Sequence, residues 1–178
     1  MSVQTALTLV FIMFIGVGLY FGYLWLSYQS QKTAHTQEVT QNRGVIIKSF
    51  QIGHPYTNQY KQPAYHNNSF ASGSSDSAGG WSLSVKILNC NKKRIKYCTF
   101  NVYTVDAVGG PAICEIAHTA NFSLRGTGPV LYGEYGSWLF ETFCYSHNLA
   151  NCRVNSLYIE YADGSNETIS GNSINWGK

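Results

Sequence analysis

The sequence predicts an all-β fold: an immunoglobulin-like antiparallel β-sandwich of about seven strands, preceded by one N-terminal transmembrane α-helix. Three observations carry this. An uncharged apolar run occupies residues 6–26. Short alternating segments broken by Gly, Pro and Asn fill the chain from Trp81 onward. No helical period follows the polar stretch at 27–43, and strands without helices bury their apolar faces as two stacked sheets.

The run "ALTLVFIMFIGVGLYFGYLWL" spans 21 residues from Ala6 to Leu26. At a rise of about 1.5 Å per residue that matches a hydrocarbon core of about 30 Å. Tyr20, Tyr23 and Trp25 cluster near one end, where an aromatic belt sits. A cleaved signal peptide has a basic start and small residues before the cut. No Lys or Arg precedes Lys32 and no A-x-A follows, so an uncleaved anchor over residues 1–27 is expected. Gly18 and Gly22 form a GxxxG, the spacing that lets two membrane helices approach.

Residues 28–43 are polar and read as a stalk or a frayed continuation of the helix. The β-domain then takes residues 44–178. "GVIIKSFQI" (44–52) is its first strand, rich in β-branched residues. A Gly/Ser/Asn-rich loop follows at 53–80. Its Tyr56, Tyr60 and Tyr65, with Trp176 at the tail, are the expected contact residues, because aromatics supply area at low entropic cost.

In "WSLSVKI" (81–87), Trp81, Leu83, Val85 and Ile87 alternate with polar residues, a half-buried strand. In "IKYCTFNVY" (95–103), Cys98, Phe100 and Val102 share the inward face. Further strands are expected at 112–117, 121–126, 137–145 and 153–161. Asp163-Gly164 offers a hairpin turn into "NETIS" (166–170).

The runs "RIKYCTFNVYTVDAVGGPAIC", "RGTGPVLYGEYGSWLFETFCYS" and "VNSLYIEYADGSNETI" resemble a small β-sandwich domain of bacterial membrane-anchored and secreted proteins of uncharacterised function. Its pattern is matched at Ile95 to Tyr97, Phe100, Ala107 to Gly109, Pro111, Thr127 to Pro129 (as a turn) and Ile159 to Ser165. The chain departs from it at Gly110, where Asp is usual, and at Cys144, where an aromatic is usual. The resemblance implies a fold and a bacterial origin, and no catalytic or binding residue comes with it.

Cys90, Cys98, Cys114, Cys144 and Cys152 are disulfide candidates. Cys90–Cys98 and Cys144–Cys152 have hairpin-like spacing, Cys114–Cys152 is equally open, and the odd count leaves one thiol over. Bridges imply an oxidising compartment. A metal reading is the alternative: Cys144, His147 and Cys152, with Cys114 and His118, offer donors for zinc but lack paired C-x-x-C knuckles. No cofactor is expected.

Catalytic signatures are absent: there is no G-x-S-x-G, H-E-x-x-H, P-loop or G-x-G-x-x-G. The nine acids stand singly, and the five histidines are dispersed. An enzyme is therefore not expected. The basic tip Lys92, Lys93, Arg94 and Lys96 is expected to be a solvated hairpin end that discourages edge-to-edge pairing. A net charge of +3 gives no nucleic-acid surface.

These readings converge on a single-pass membrane protein with its β-domain on the periplasmic or extracellular side. The lone Lys32 after the span favours the opposite orientation. Low charge, a Tyr/Asn/Ser/Gly-rich surface and the cysteines outweigh it. The expected role is a structural or protein-binding accessory of the cell envelope, by association with a protein partner or with itself. A pilin-like filament subunit and a cytoplasmic zinc-stabilised domain are the alternatives.

Overall fold

The computed structural model describes residues 3–53, 70–72 and 79–177, with side chains from 17 to 53 and from 79 to 177. The chain divides into two units, residues 1–42 and 43–178. The first is one helix, α1 (Val3–Gln41), unbroken through the residues expected to form a stalk. Ser27, Thr33, Thr36 and Thr40 return their hydroxyls to main-chain carbonyls three or four residues back, which lets these polar residues stay helical. Among the described residues no helix is long and apolar enough to cross a membrane. Most of the expected span at 6–26 precedes Val17.

The second unit is built of two sheets. One has four strands in the order β6 (Tyr135–Tyr145), β3 (Gly80–Asn89), β1 (Val45–Gly53), β9 (Asn175–Trp176). The other runs β2 (Phe70–Ser72), β7 (Leu149–Tyr161), β4 (Ile95–Asp106), β5 (Asn121–Val130), with β8 (Asn166–Ser170) also on β7. Pairing is antiparallel except between β1 and β9. One hydrophobic cluster draws on both sheets: Val45, Ile47, Phe50, Leu83, Val85 and Ile87 from the first, Cys98, Phe100, Val102, Val154, Leu157 and Ile159 from the second.

The alternation in 95–103 holds from Tyr97 onward. A bulge between Ile95 and Tyr97 then turns Ile95 into the core and Lys96 to solvent, where strict alternation would have sent Lys96 inward. Two expectations fail. Residues 112–117 form no strand but an irregular turn. Thr127 to Pro129, expected as a turn, lie inside β5. Strands β2 and β9 were not expected, and β2 falls within the predicted 53–80 loop.

The β3–β4 and β6–β7 links look like hairpins in sequence, yet each passes from one sheet to the other. At the first, Asn89 is fully buried and saturates its amide. Its Nδ2 donates to Lys93 O at 2.9 Å and Val130 O at 3.0 Å, and its Oδ1 accepts Asn91 N–H at 2.9 Å. Asn91 Oδ1 in turn accepts the Lys93 N–H.

Aromatic rings seal the edge where β5 and β6 meet. Phe100 packs on Trp138 and Phe140, and Phe122 meets Phe143 edge-on at 5.2 Å. Trp138 Nε1 donates to Thr127 O at 3.0 Å. A Cβ on Gly126 would lie 2.5 Å from the Trp138 ring, so glycine is required for this approach.

Replacing Asn89 by Ala leaves the buried Val130 carbonyl without its partner, at a cost of about 1–3 kcal/mol, and removes the part-buried bonds to Lys93 O and Asn91 N–H. Urea unfolding followed by Trp fluorescence should therefore show a loss of roughly 2 kcal/mol or more. A loss below about 0.5 kcal/mol would remove Asn89 from this role.

Candidate functional site

The densest group of reactive side chains lies around the turn between β4 and β5. Thr104, buried in β4, holds both limbs of that connection: its Oγ1 donates to Ala112 O at 2.7 Å and approaches Ala120 O at 3.1 Å. Its N–H reaches Ala120 O and its carbonyl accepts Ala112 N–H. Between them Cys114 closes a tight turn, donating its N–H to Thr119 O and accepting that of His118. His118 adopts a φ of 51°, in the left-handed region.

Cys114 Sγ faces inward and accepts the N–H groups of Ala117 and Tyr145, each at 3.4 Å. Cys144, on β6, hydrogen-bonds to it, and Cys152, on β7, lies in electrostatic range of Cys144. Burial pushes the Cys114 thiol up, but the N–H groups of Ala117, Tyr145 and Ile116 and the Cys144 thiol outweigh it. Its pKa falls below the ordinary thiol value. Burial, the neighbouring Cys114 sulfur and the hydrogen bond to it push Cys144 up to about 12. Burial and Cys144 raise Cys152 further. Burial alone takes Cys98 to about 12, an inert core thiol.

All five cysteines are buried and reduced. Neither hairpin-spaced bridge is present: Cys90 follows β3 while Cys98 sits in β4 of the other sheet, and Cys144 and Cys152 likewise lie in different sheets. The zinc reading fails too. Among the described residues no group of three or more His, Cys, Asp or Glu side chains is arranged to hold a metal ion. His147 is exposed and engaged elsewhere, its Nδ1 2.7 Å from Glu115 Oε1. Glu115 N–H donates to Tyr145 O, so the pair ties the turn to the end of β6.

An open groove between Asp106–Val108 and His147–Ala150 adjoins this region. Its one carboxylate is occupied: Asp106 Oδ1 accepts the N–H groups of Val108 at 3.0 Å and Gly110 at 2.7 Å, closing the β4 turn.

The other expected site residues are scattered. Lys92, Lys93, Arg94 and Lys96 are exposed around the β3–β4 crossover, which is not a hairpin end. Lys93 is engaged with Asp163 at 3.1 Å and Ser165 at 2.7 Å. The Ser165 hydroxyl and N–H, then Lys93, bring the Asp163 carboxyl down to about 2. Trp176 is half-buried and packs edge-on against Phe50 at 6.1 Å, on the β1 side of the core. Gly18 and Gly22 have no atom within 4 Å of an added Cβ. Tyr56, Tyr60 and Tyr65 lie outside the described residues.

The sequence reading missed a second aromatic surface, the outward face of β4, β5 and β7. There the Arg125 guanidinium sits 3.7 Å above the Tyr97 ring and 3.0 Å from Glu160, and Arg153 lies 4.7 Å from the Tyr103 ring. Asn101 bridges Ser156 and Ser123 between them. The alternating phase of 97–103 marked these side chains as outward, but only the strand order sets the arginines beside them.

No known protein family and no curated protein matches the chain. Among solved structures it is similar to IrmA from Escherichia coli at 12% identity, covering 74% of this chain and 92% of that one with a TM-score of 0.40.

The Glu115 hydrogen bond and charge raise the His147 pKa, and the same pair lowers Glu115. The stabilisation is therefore fully present only between the unfolded values, about 4.3 for Glu and 6.5 for His. It is lost as pH falls through the Glu115 midpoint or rises through that of His147. An NMR titration of the His147 ring should give a midpoint above about 6.5 that Glu115→Gln returns to that value. A midpoint indifferent to the substitution would show the pair does not form in solution.

Proposed function

We propose that the chain is a membrane-anchored, non-cytoplasmic protein-binding or structural module of the cell envelope. In this reading its two sheets form an immunoglobulin-like sandwich of the kind carried by the bacterial membrane-anchored and secreted proteins it resembles. The observation that supports anchoring is the surface of α1. Leu19, Tyr20, Phe21, Tyr23, Leu24, Trp25 and Leu26 are 42–71% exposed and together lie all round the helix. A helix apolar on every side is stable only in lipid or inside a bundle, and residues 6–16 extend the uncharged sequence toward the amino end.

The sandwich reading is supported by strand order. β1, β3 and β6 are neighbours in one sheet, and β4, β7 and β8 in the other. These correspond to the A-B-E and C-F-G groupings of immunoglobulin domains, with β5 added beside the C position. Display outside the cytoplasm is supported by the low charged fraction of 12% and the Tyr-rich surface. The hairpin spacing of cysteines no longer supports it. The preorganised Tyr97, Tyr103, Arg125 and Arg153 face supplies rigid aromatic and guanidinium groups of the type that dominates protein contacts.

Alkaline carbonate extraction of cells expressing the full chain tests the anchor. The protein should stay with the membrane pellet, and the pair Phe14→Lys with Val17→Lys, at the middle of the 6–26 run, should release most of it, since each charge mid-span costs about 2.5–3.5 kcal/mol. Protease added to spheroplasts should digest the β-domain. Wild-type protein in the soluble fraction would overturn the anchor, protection from protease would overturn the orientation, and sedimentable filaments would favour the pilin-like reading.

A further inference from the structure

A solvated sheet face ordinarily leaves its long cations free to move, but the outward face of β4, β5 and β7 fixes two of them. The Arg125 guanidinium lies 3.7 Å above the Tyr97 ring, and its Nη2 donates to Glu160 Oε1 at 3.0 Å. The Arg153 guanidinium lies 4.7 Å from the Tyr103 ring, and among the described residues no carboxylate pairs with it. Lys96 adds a third cation, its Nζ 5.2 Å from the Tyr97 ring. Among the described residues Glu160 is the one acid paired with these groups, so the face keeps an excess of positive charge. Asn101 holds the ground between the two stacked pairs. Its Nδ2 donates to Ser156 Oγ at 2.9 Å and its Oδ1 accepts the Ser123 hydroxyl at 2.7 Å, which ties both flanking strands to β4.

Register sets the spacing of the cations. Arg125 stands opposite Thr99 and Arg153 opposite Tyr103. At about 3.3 Å per residue the two levels are about 13 Å apart along β4. A guanidinium stacked on a ring has given up rotamer freedom in advance, and its unused N–H groups still match a carboxylate in bidentate geometry. We propose that this face docks an acidic segment of a protein partner, with one carboxylate on Arg153 and a second near Arg125 and Lys96. The inference rests on the protein-binding reading above and gives that partner its chemistry. Charge complementarity points to carboxylates rather than to a polyanion, because two separate guanidiniums in a chain of net charge +3 make no continuous basic track. The Tyr97 and Tyr103 rings already carry guanidinium groups, which leaves single-stranded bases little ring face for stacking. Tyr, Ser, Asn and Arg are also the residue types of adaptable protein-contact surfaces.

The test follows the Nε–H signals of Arg125 and Arg153 by NMR in the full chain in detergent. The probe is an extended Ser/Tyr peptide carrying two Glu residues four positions apart, and its control carries Gln at both. Both signals should shift saturably with the Glu peptide and stay still with the Gln peptide. Arg153→Gln should weaken binding roughly tenfold, the worth of one charge-assisted hydrogen bond. Equal shifts with both peptides, or no shift with either, would overturn the acidic partner. A tighter response to heparin or to phosphatidylglycerol vesicles would overturn it in favour of a sulfated glycan or a membrane surface. The two wild-type titrations decide the matter even if a variant misfolds. Photo-reactive benzoylphenylalanine in place of Thr99, irradiated in cells, separates this inference from the module reading. Protein adducts that persist when Arg125 and Arg153 are both Gln would leave the binding module standing and overturn its acidic partner.

Discussion

The β-domain depends on a chain that changes sheets without leaving a polar group unpaired in the core. At the β3–β4 crossover the backbone leaves the ladder of one sheet before entering that of the other, and its amides lose their strand partners. Asn89 stands in for them. It is buried where an apolar residue would be the ordinary choice, and both ends of its amide are satisfied by Lys93, Val130 and Asn91. Among the described residues no buried side-chain nitrogen or oxygen lacks a partner.

That crossover decides what the neighbouring residues can do. It spreads Lys92, Lys93 and Arg94 over a connection between sheets, where Lys93 spans to Asp163 and Ser165 at the β7–β8 turn. It also keeps Cys90 and Cys98 apart. The β6–β7 link also changes sheets and carries Cys144 and Cys152 to different sheets, while the β4–β5 turn, hung from Thr104, brings in Cys114. The sulfur cluster is thus a product of two crossovers and one anchored turn.

Cohesion comes mainly from burial and ring packing. A buried ring or aliphatic side chain contributes roughly 1.5–3 kcal/mol, and the core holds Phe50, Phe100, Leu83, Leu157 and Ile159 at 1% exposure or less. The exposed ion pair of Arg125 with Glu160 belongs to a class worth about 0–1 kcal/mol. The aromatic contacts of Phe100, Phe122, Trp138 and Phe143 therefore do more than charge to hold the β5 and β6 edges together. Charge instead shapes the outer face, where arginines lie flat on tyrosines.

The sequence by itself determined most of the strands. Alternation located β3 and β4, because a face that is buried must repeat every second residue, while β-branched content marked β1 and short segments between Gly, Pro and Asn breaks marked the regions of β5, β6 and β7. Asp163-Gly164 marked the turn into β8, and Gly164 has the positive φ of 83° that such a turn needs. The apolar run marked the start of α1. Only the tertiary structure decided which strands share a sheet, since strand pairing leaves no periodic trace and a hairpin and a sheet-to-sheet crossover can have the same length. It therefore decided which cysteines meet, that Trp176 packs on Phe50, that 112–117 is a turn bound to Thr104, and that Lys96 faces water past a bulge. Each of these depends on contacts between residues far apart in the chain, and spacing along the chain does not encode them.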